Sequence, residues 1–115
     1  MLPVTPKRLA AVYDMLRVFP PFSKWRLPPG SEVKFHVGRS KKYEALWWID
    51  GDRHHIEITK PKHGHLVTLV ASMAHEMLHV QQRLAGTETR AEHNAEFDRL
   101  KLRVCKALGF DPGQF

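Results

Sequence analysis

The chain has almost no cysteine, and this scarcity limits both its cross-links and its choice of metal site. Cys105 is the single cysteine among 115 residues, so the chain forms no internal disulfide and contains no four-cysteine zinc ribbon. A reducing, cytoplasmic setting is therefore expected. The sequence also lacks an apolar run long enough to span a bilayer, and no apolar signal segment follows Lys7 and Arg8. We expect neither membrane insertion nor secretion.

The charge is unbalanced toward the positive, with a formal net charge of +6 and a pI of about 9.8. This balance favours acidic partners, nucleic acid first, although it is equally typical of a basic protein that is merely soluble. A chain of 115 residues with 43% hydrophobic content buries one core and is too short for two. We therefore expect one domain over residues 1–115.

Hydrophobic periodicity predicts an α+β fold. Thr5 and Pro6 begin an amphipathic helix, with Phe19 on its apolar stripe, that the Pro20-Pro21 pair ends. Residues 20–30 follow as an ordered, proline-rich loop packed over the core. Period-two alternation then predicts strands over residues 32–37, 43–49 and 55–59 in a small, mainly antiparallel sheet. Asp50-Gly51 predicts the hairpin between the second and third strands.

The segment over residues 66–85 has helical periodicity and carries the sequence His75-Glu76-Met77-Leu78-His79. One helical turn separates the two histidines, so their Cβ atoms lie roughly 5–6 Å apart on one face and can share a metal ion. Glu76 projects about 100° away from His75. It is therefore placed to act as a general base on a water molecule rather than as a third ligand in the same plane.

Two stripes run along this predicted helix. The apolar stripe indicates a central, buried helix, and its members are Leu66, Val70, Met73, Met77, Val80 and Leu84. The polar stripe contains no charged residue, and its members are Thr68, Ser72, His75, His79 and Gln82. Because a solvated face would normally carry charge, this second stripe predicts the wall of a cleft. Gly86 is then expected to cap the helix in the left-handed conformation.

A catalytic zinc usually takes three protein ligands, so a third is needed beyond His75 and His79. The last helix is predicted to begin at Thr87 or Thr89 and to run to about Leu108. His93 falls on its inward stripe with Phe97 and Leu100, and we predict that it is the third ligand. The alternatives Glu92 and Glu96 fall on the outward stripe with arginines.

Four further histidines, His54, His55, His63 and His65, lie on the third strand and in the loop after it. Because they lack helical spacing, we expect them to be exposed, with a secondary ligand or transition-state role as the alternative. Tyr43, His65 and Arg90 are weak candidates for an oxyanion donor from position alone. Residues 111–115 are expected to form a short extension.

Taken together, these residues resemble a known family. The segment from His75 to His79, followed by His93-Asn94-Ala95-Glu96-Phe97 and later Leu108-Gly109-Phe110, resembles the SprT-like zinc metallopeptidases over roughly the whole chain. The compact size and the Pro-Pro-Phe loop resemble the short versions encoded by phages and prophages. Asn94 stands where family members often have glycine, and the zinc ribbon of longer relatives is absent.

The resemblance implies a zincin-like minimal metallopeptidase. In that reading His75, His79 and His93 bind Zn²⁺, Glu76 is the catalytic base, and the substrate is a protein or peptide. In zincins generally the substrate adds to a strand edge near the active helix, and residues 55–59 would supply that edge. Cleavage of DNA-associated proteins is a further implication, which the positive charge supports.

A nucleic-acid-binding module with a structural or vestigial zinc site is the alternative. Its support is a set of basic residues around the strands, with three aromatic side chains nearby for stacking. The basic residues are Lys34, Arg39, Lys41, Lys42, Arg53, Lys60 and Lys62, and the aromatic ones are Tyr43, Trp47 and Trp48. A solvated basic face with core aromatics explains the same pattern. A structural zinc site would also need a fourth protein ligand, and the sequence offers no convincing one.

Overall fold

The computed structural model describes residues 3–61, 63, 65–91 and 93–115. These residues form a compact α+β fold of three helices and a three-stranded sheet, as predicted, with short 3-10 turns between them. The elements are α1 (Pro6–Arg17), β1 (Lys34–Gly38), β2 (Ala45–Asp50), β3 (Arg53–Thr59), α2 (Leu66–Ala85) and α3 (Ala95–Leu108).

Helix α1 begins as predicted, because the Thr5 side chain accepts a hydrogen bond from the Arg8 N–H at 3.2 Å. Its buried side chains are Leu9, Val12, Tyr13 and Leu16. Phe19 was expected on the same stripe, but this prediction is wrong: the helix ends at Arg17, and Phe19 is 44% exposed. The helical period no longer applies beyond that end. The following loop packs on the core through Phe22 and Leu27, as expected.

The sheet is mixed, and the prediction of a mainly antiparallel sheet is wrong. The strand order is β1-β3-β2. Strands β2 and β3 form the predicted antiparallel hairpin, with Trp47 opposite Ile56, whereas β1 pairs with β3 in parallel, with Phe35 opposite Ile56. Only the hairpin between the second and third strands has a local sequence signal, and no such signal sets the partner of β1. The connection after β1 carries the chain past the position that β3 later occupies.

Burial explains why β3 takes the central position. Its inward side chains Ile56 and Ile58 are both 0% exposed, and a central strand is covered by neighbours on both sides. Strand β2 has no fully buried residue along its length, which suits an edge. Apolar side chains on the inner face of the sheet and on the three helices form one continuous core.

Helix α2 is the central helix that its sequence predicted. Ten of its 20 residues are buried, including Met73, Met77 and Val80 of the apolar stripe. Leu66 and Leu84 lie at its two ends and are 57% and 51% exposed, because the core does not extend that far. Gly86 ends the helix with a φ of 71°, the left-handed conformation that glycine adopts without steric cost.

Helix α3 begins later than predicted, at Ala95 rather than at Thr87 or Thr89. Asn94 is the N-cap, and its side chain accepts a hydrogen bond from the Phe97 N–H at 2.9 Å. The same side chain donates to the Thr87 carbonyl at 2.9 Å and accepts from Gln82 of α2 at 2.8 Å. These bonds hold residues 87–91 and 93–94 as a loop against the end of α2. The helix start moves because asparagine is the stronger N-cap and is also tied to α2.

Candidate metal centre

Three histidine side chains converge beside α2. His75 and His79 are one turn apart on that helix, and His93 reaches them from the loop before α3. One ligand atom from each of the three lies within 4.8 Å of the other two, close enough for all three to bind one metal ion. The Nε2 atoms of His75 and His93 are 3.1 Å apart, and their ring planes are inclined at 71°.

His93 joins this group, although the reason given from sequence is wrong. It precedes α3 instead of lying on that helix's inward stripe, and it is exposed rather than turned into the core. The ring of Phe97 stacks on it, with centroids 4.2 Å apart and planes within 14°. Asn94, the next residue, is anchored to α2 through Gln82. The ring stack and the capped loop therefore hold His93 beside His75 and His79 of α2.

The structure describes one of the two glutamate alternatives to His93, namely Glu96. Glu96 forms an ion pair with Arg99, whose Nε donates to it at 2.8 Å. That hydrogen bond is the main reason why the pKa of Glu96 lies below its ordinary value. Glu96 is therefore paired with Arg99, and it is not among the residues placed to share one metal ion. Glu92 lies outside the described residues.

His79 is the most buried of the three histidines, with 6% of its surface exposed. Among the described residues, its Nε2 has no hydrogen-bond partner, which is uncommon for a buried polar atom. Burial, followed by the nearby His75 and His93, lowers the pKa of His79 to about 3. The ring is therefore neutral at physiological pH, which is the form that donates a lone pair to a metal.

The Nε2 atom of His75 faces His93, and its second ring nitrogen, Nδ1, has a separate backbone partner. Its Nδ1 lies 3.0 Å from the backbone oxygen of Phe115, and the Phe115 ring centre is 5.4 Å from the imidazole centre. The sequence predicted only a short extension here. A phenylalanine after Asp111-Pro112 carries no motif that would have revealed this contact.

Glu76 is buried, with 5% of its surface exposed. It lines a cleft of about 550 Å³ together with His75 and His93, a volume within the range of small-molecule and cofactor sites. Thr68 and Ser72 of the uncharged polar stripe also line this cleft. The first three members of the stripe, Thr68, Ser72 and His75, thus form part of a cleft wall as predicted, whereas His79 and Gln82 are not among the residues that line it.

The strand edge beside the cleft belongs to β2. Ala45, at the start of that strand, and Glu44, just before it, line the cleft. The family resemblance implied that residues 55–59 would supply the strand edge for a substrate, and this expectation is wrong because β3 is paired on both sides. Its backbone groups are used by β1 and β2, so no further strand can add there.

Two of the four histidines expected to be exposed are buried, because each has hydrogen-bond partners. His63, 3% exposed, bonds the Thr59 carbonyl through Nδ1 and the Ser72 hydroxyl through Nε2, the latter at 2.7 Å. His54, 4% exposed, accepts from the Trp47 indole N–H at 3.0 Å. Burial is the main cause of the lowered pKa of His54.

The indole of Trp47 also stacks on the His79 ring, with centroids 5.7 Å apart. Trp47 therefore packs against His79, and His54 holds the Trp47 indole in place by a hydrogen bond. The sequence did not suggest either role. The sequence named Trp47 only as an aromatic side chain of the second strand, and no local pattern places it against His79.

The three oxyanion candidates do not lie at this cleft. Tyr43, His65 and Arg90 are all described residues, and none is among those that line it. The Tyr43 hydroxyl instead donates to the carboxylate of Glu57. His65 is exposed just before α2, and Arg90 is exposed in the loop before α3.

Comparison with known proteins found no matching family model, no matching curated protein and no matching solved structure. Of the helices within the described residues, none is both long and apolar enough to cross a membrane.

Proposed function

We propose that this protein is a zinc-dependent peptidase of the zincin type. Zinc would be held by His75, His79 and His93, and Glu76 would serve as general base. The observation that carries the proposal is the convergence of three imidazoles within 4.8 Å at a cleft that Glu76 also lines. Three protein ligands beside an accessible cleft match a catalytic zinc site, whereas structural sites are usually closed by a fourth protein ligand.

The chemistry of the donor set fits this metal. Imidazole nitrogens are common zinc ligands, and a ligating imidazole must be neutral. The lowered pKa of His79 keeps its imidazole neutral. Its buried Nε2 has no hydrogen-bond partner among the described residues, so this nitrogen can bind a metal. A bound metal would satisfy that atom and remove the cost of burying it unpaired.

A bound zinc ion would supply Lewis acidity, which polarises a carbonyl oxygen and lowers the pKa of a coordinated water toward about 7. Within the chain, Glu76 takes a proton from the attacking water and later passes it to the leaving amine. Its burial limits competition from bulk water at the carboxylate. A side chain that stabilises the oxyanion is not part of this assignment.

The substrate backbone would bind along the edge of β2 that lies away from β3, where no strand of the described residues is paired. An extended peptide added there would use main-chain hydrogen bonds, as in other cases of β-augmentation. Support for this placement comes from Ala45, which begins β2 and lines the cleft. A peptide paired with β2 would therefore run past Glu76, His75 and His93, which line the same cleft.

Metal removal tests the proposal directly. Zinc-loaded protein is expected to cleave an unfolded substrate such as casein, and chelation followed by dialysis should abolish cleavage. Adding zinc back should restore it, because the three ligands belong to the folded chain. Cleavage that persists after complete zinc removal, or no cleavage by fully loaded protein, would refute the proposed function.

Nucleic-acid binding is the second candidate, and one observation favours it. The Trp48 ring is 37% exposed and stacks against His36 and His55, with centroids 5.1 Å from each. Exposed Arg53 lies on the neighbouring strand β3, and exposed Lys34 lies on β1 beyond it. Affinity for single-stranded DNA that falls steeply with salt and requires Trp48 would support this function.

A further inference from the structure

The chain after α3 folds back to the candidate metal centre. Gly109 ends α3 with a φ of 80°, and its N–H donates to the Cys105 carbonyl at 2.9 Å. A short 3-10 turn over Pro112–Gln114 follows, capped by the Asp111 side chain. We call residues 109–115 the return segment. It supplies one wall of the cleft.

Two contacts attach the end of this segment to the centre. The ring of Phe115 packs between its neighbours, 5.6 Å from the centroid of Phe110 and 5.4 Å from that of His75. The backbone oxygen of Phe115 lies 3.0 Å from Nδ1 of His75. The first contact is apolar packing, whereas the second is a directed hydrogen bond to a proposed ligand.

The hydrogen bond fixes the protonation pattern of the His75 ring. A backbone oxygen can only accept, so Nδ1 of His75 must carry the proton. A neutral imidazole protonated at Nδ1 presents its lone pair at Nε2. This nitrogen lies 3.1 Å from Nε2 of His93 and so faces the other ligands.

We propose that Phe115 is a positioning residue for the metal centre and that it acts through its backbone oxygen. This inference rests on the proposed zinc site. The oxygen holds His75 in the tautomer and ring orientation that zinc requires, and the rest of the return segment brings the oxygen into place. Such outer hydrogen bonds typically contribute about 10- to 100-fold to metal affinity.

Two variants separate the oxygen from the ring. A chain ended at Asp111 removes both, whereas Phe115→Ala removes the ring and keeps the backbone oxygen. Zinc affinity would be measured by competition with a chromophoric chelator, with circular dichroism and thermal unfolding as controls for folding. We expect the shortened chain to bind zinc about 10- to 100-fold more weakly, and Phe115→Ala to lose only a small part of that affinity.

A second measurement requires no variant. Long-range nitrogen–proton NMR correlations on the metal-free wild-type chain report which nitrogen of His75 is protonated. We expect the Nδ1–H form in the wild type and in Phe115→Ala. If the shortened chain does not fold, the tautomer of His75 in the wild type alone tests whether the Phe115 backbone oxygen positions this ring.

The outcomes distinguish this inference from the proposed function. A wild-type chain that does not bind zinc overturns both. Wild-type zinc affinity in the shortened chain overturns this inference alone, and so does an equal loss in Phe115→Ala, which would assign the effect to ring packing. An Nε2–H tautomer of His75 in the wild type also overturns it.

Discussion

Replacing Glu76 with glutamine is expected to lower kcat for peptide hydrolysis by about 100- to 10,000-fold while zinc stays bound. The amide keeps the size of the side chain but cannot take a proton from water. Zinc content would be measured by elemental analysis, and kcat with a fluorogenic peptide. Because Glu76 is not one of the three converging ligands, the metal should remain at one ion per chain.

Glu44→Gln is the matched control for this substitution. Glu44 lines the same cleft but is exposed just before β2, so the same loss of a carboxylate there should leave most of kcat intact. A Glu76→Gln protein that retains both zinc and wild-type kcat would remove Glu76 from the mechanism.

Replacing His93 with glutamine is expected to cause a large loss of zinc affinity. Removing one of three ligands should weaken zinc binding by more than the roughly 10- to 100-fold that follows loss of an outer-shell partner. His93 is exposed in the loop before α3, so the thermal midpoint of the metal-free protein should hardly change. Zinc titration with and without a competing chelator measures the first quantity, and calorimetry the second.

His65→Gln controls for the loss of an imidazole as such. His65 is exposed just before α2 and lies outside the three-histidine group, so its removal should leave zinc affinity unchanged. Equal zinc affinity in His93→Gln and the wild type would show that His93 is not a ligand.

The sequence predicted those parts of the fold that local periodicity determines. Helix α2 matches the predicted range of residues 66–85 because its apolar and polar stripes, and the glycine that ends it, are local signals. The close approach of His75 and His79 follows from helix geometry alone. The Asp50-Gly51 hairpin was likewise predictable, because two turn residues are enough to define it.

The features that the sequence did not predict correctly depend on contacts between segments that are distant along the chain. No local pattern states that β1 pairs with β3, and this pairing is what leaves β2 as the edge beside the cleft. His93 was identified by a helical face that does not exist at that position. The loop holding it depends on the hydrogen bond from Gln82 of α2 to Asn94, the N-cap of α3. The contact between Phe115 and His75 spans 40 residues, and no spacing rule anticipates it.

The most direct test of the central claim is a crystal structure of zinc-loaded protein with anomalous data collected at the zinc edge. We predict one strong anomalous peak per chain, within coordination distance of a ring nitrogen of His75, His79 and His93, with the remaining position open to the cleft beside Glu76. A peak coordinated by other residues, or a fourth protein side chain closing the site, would contradict the account.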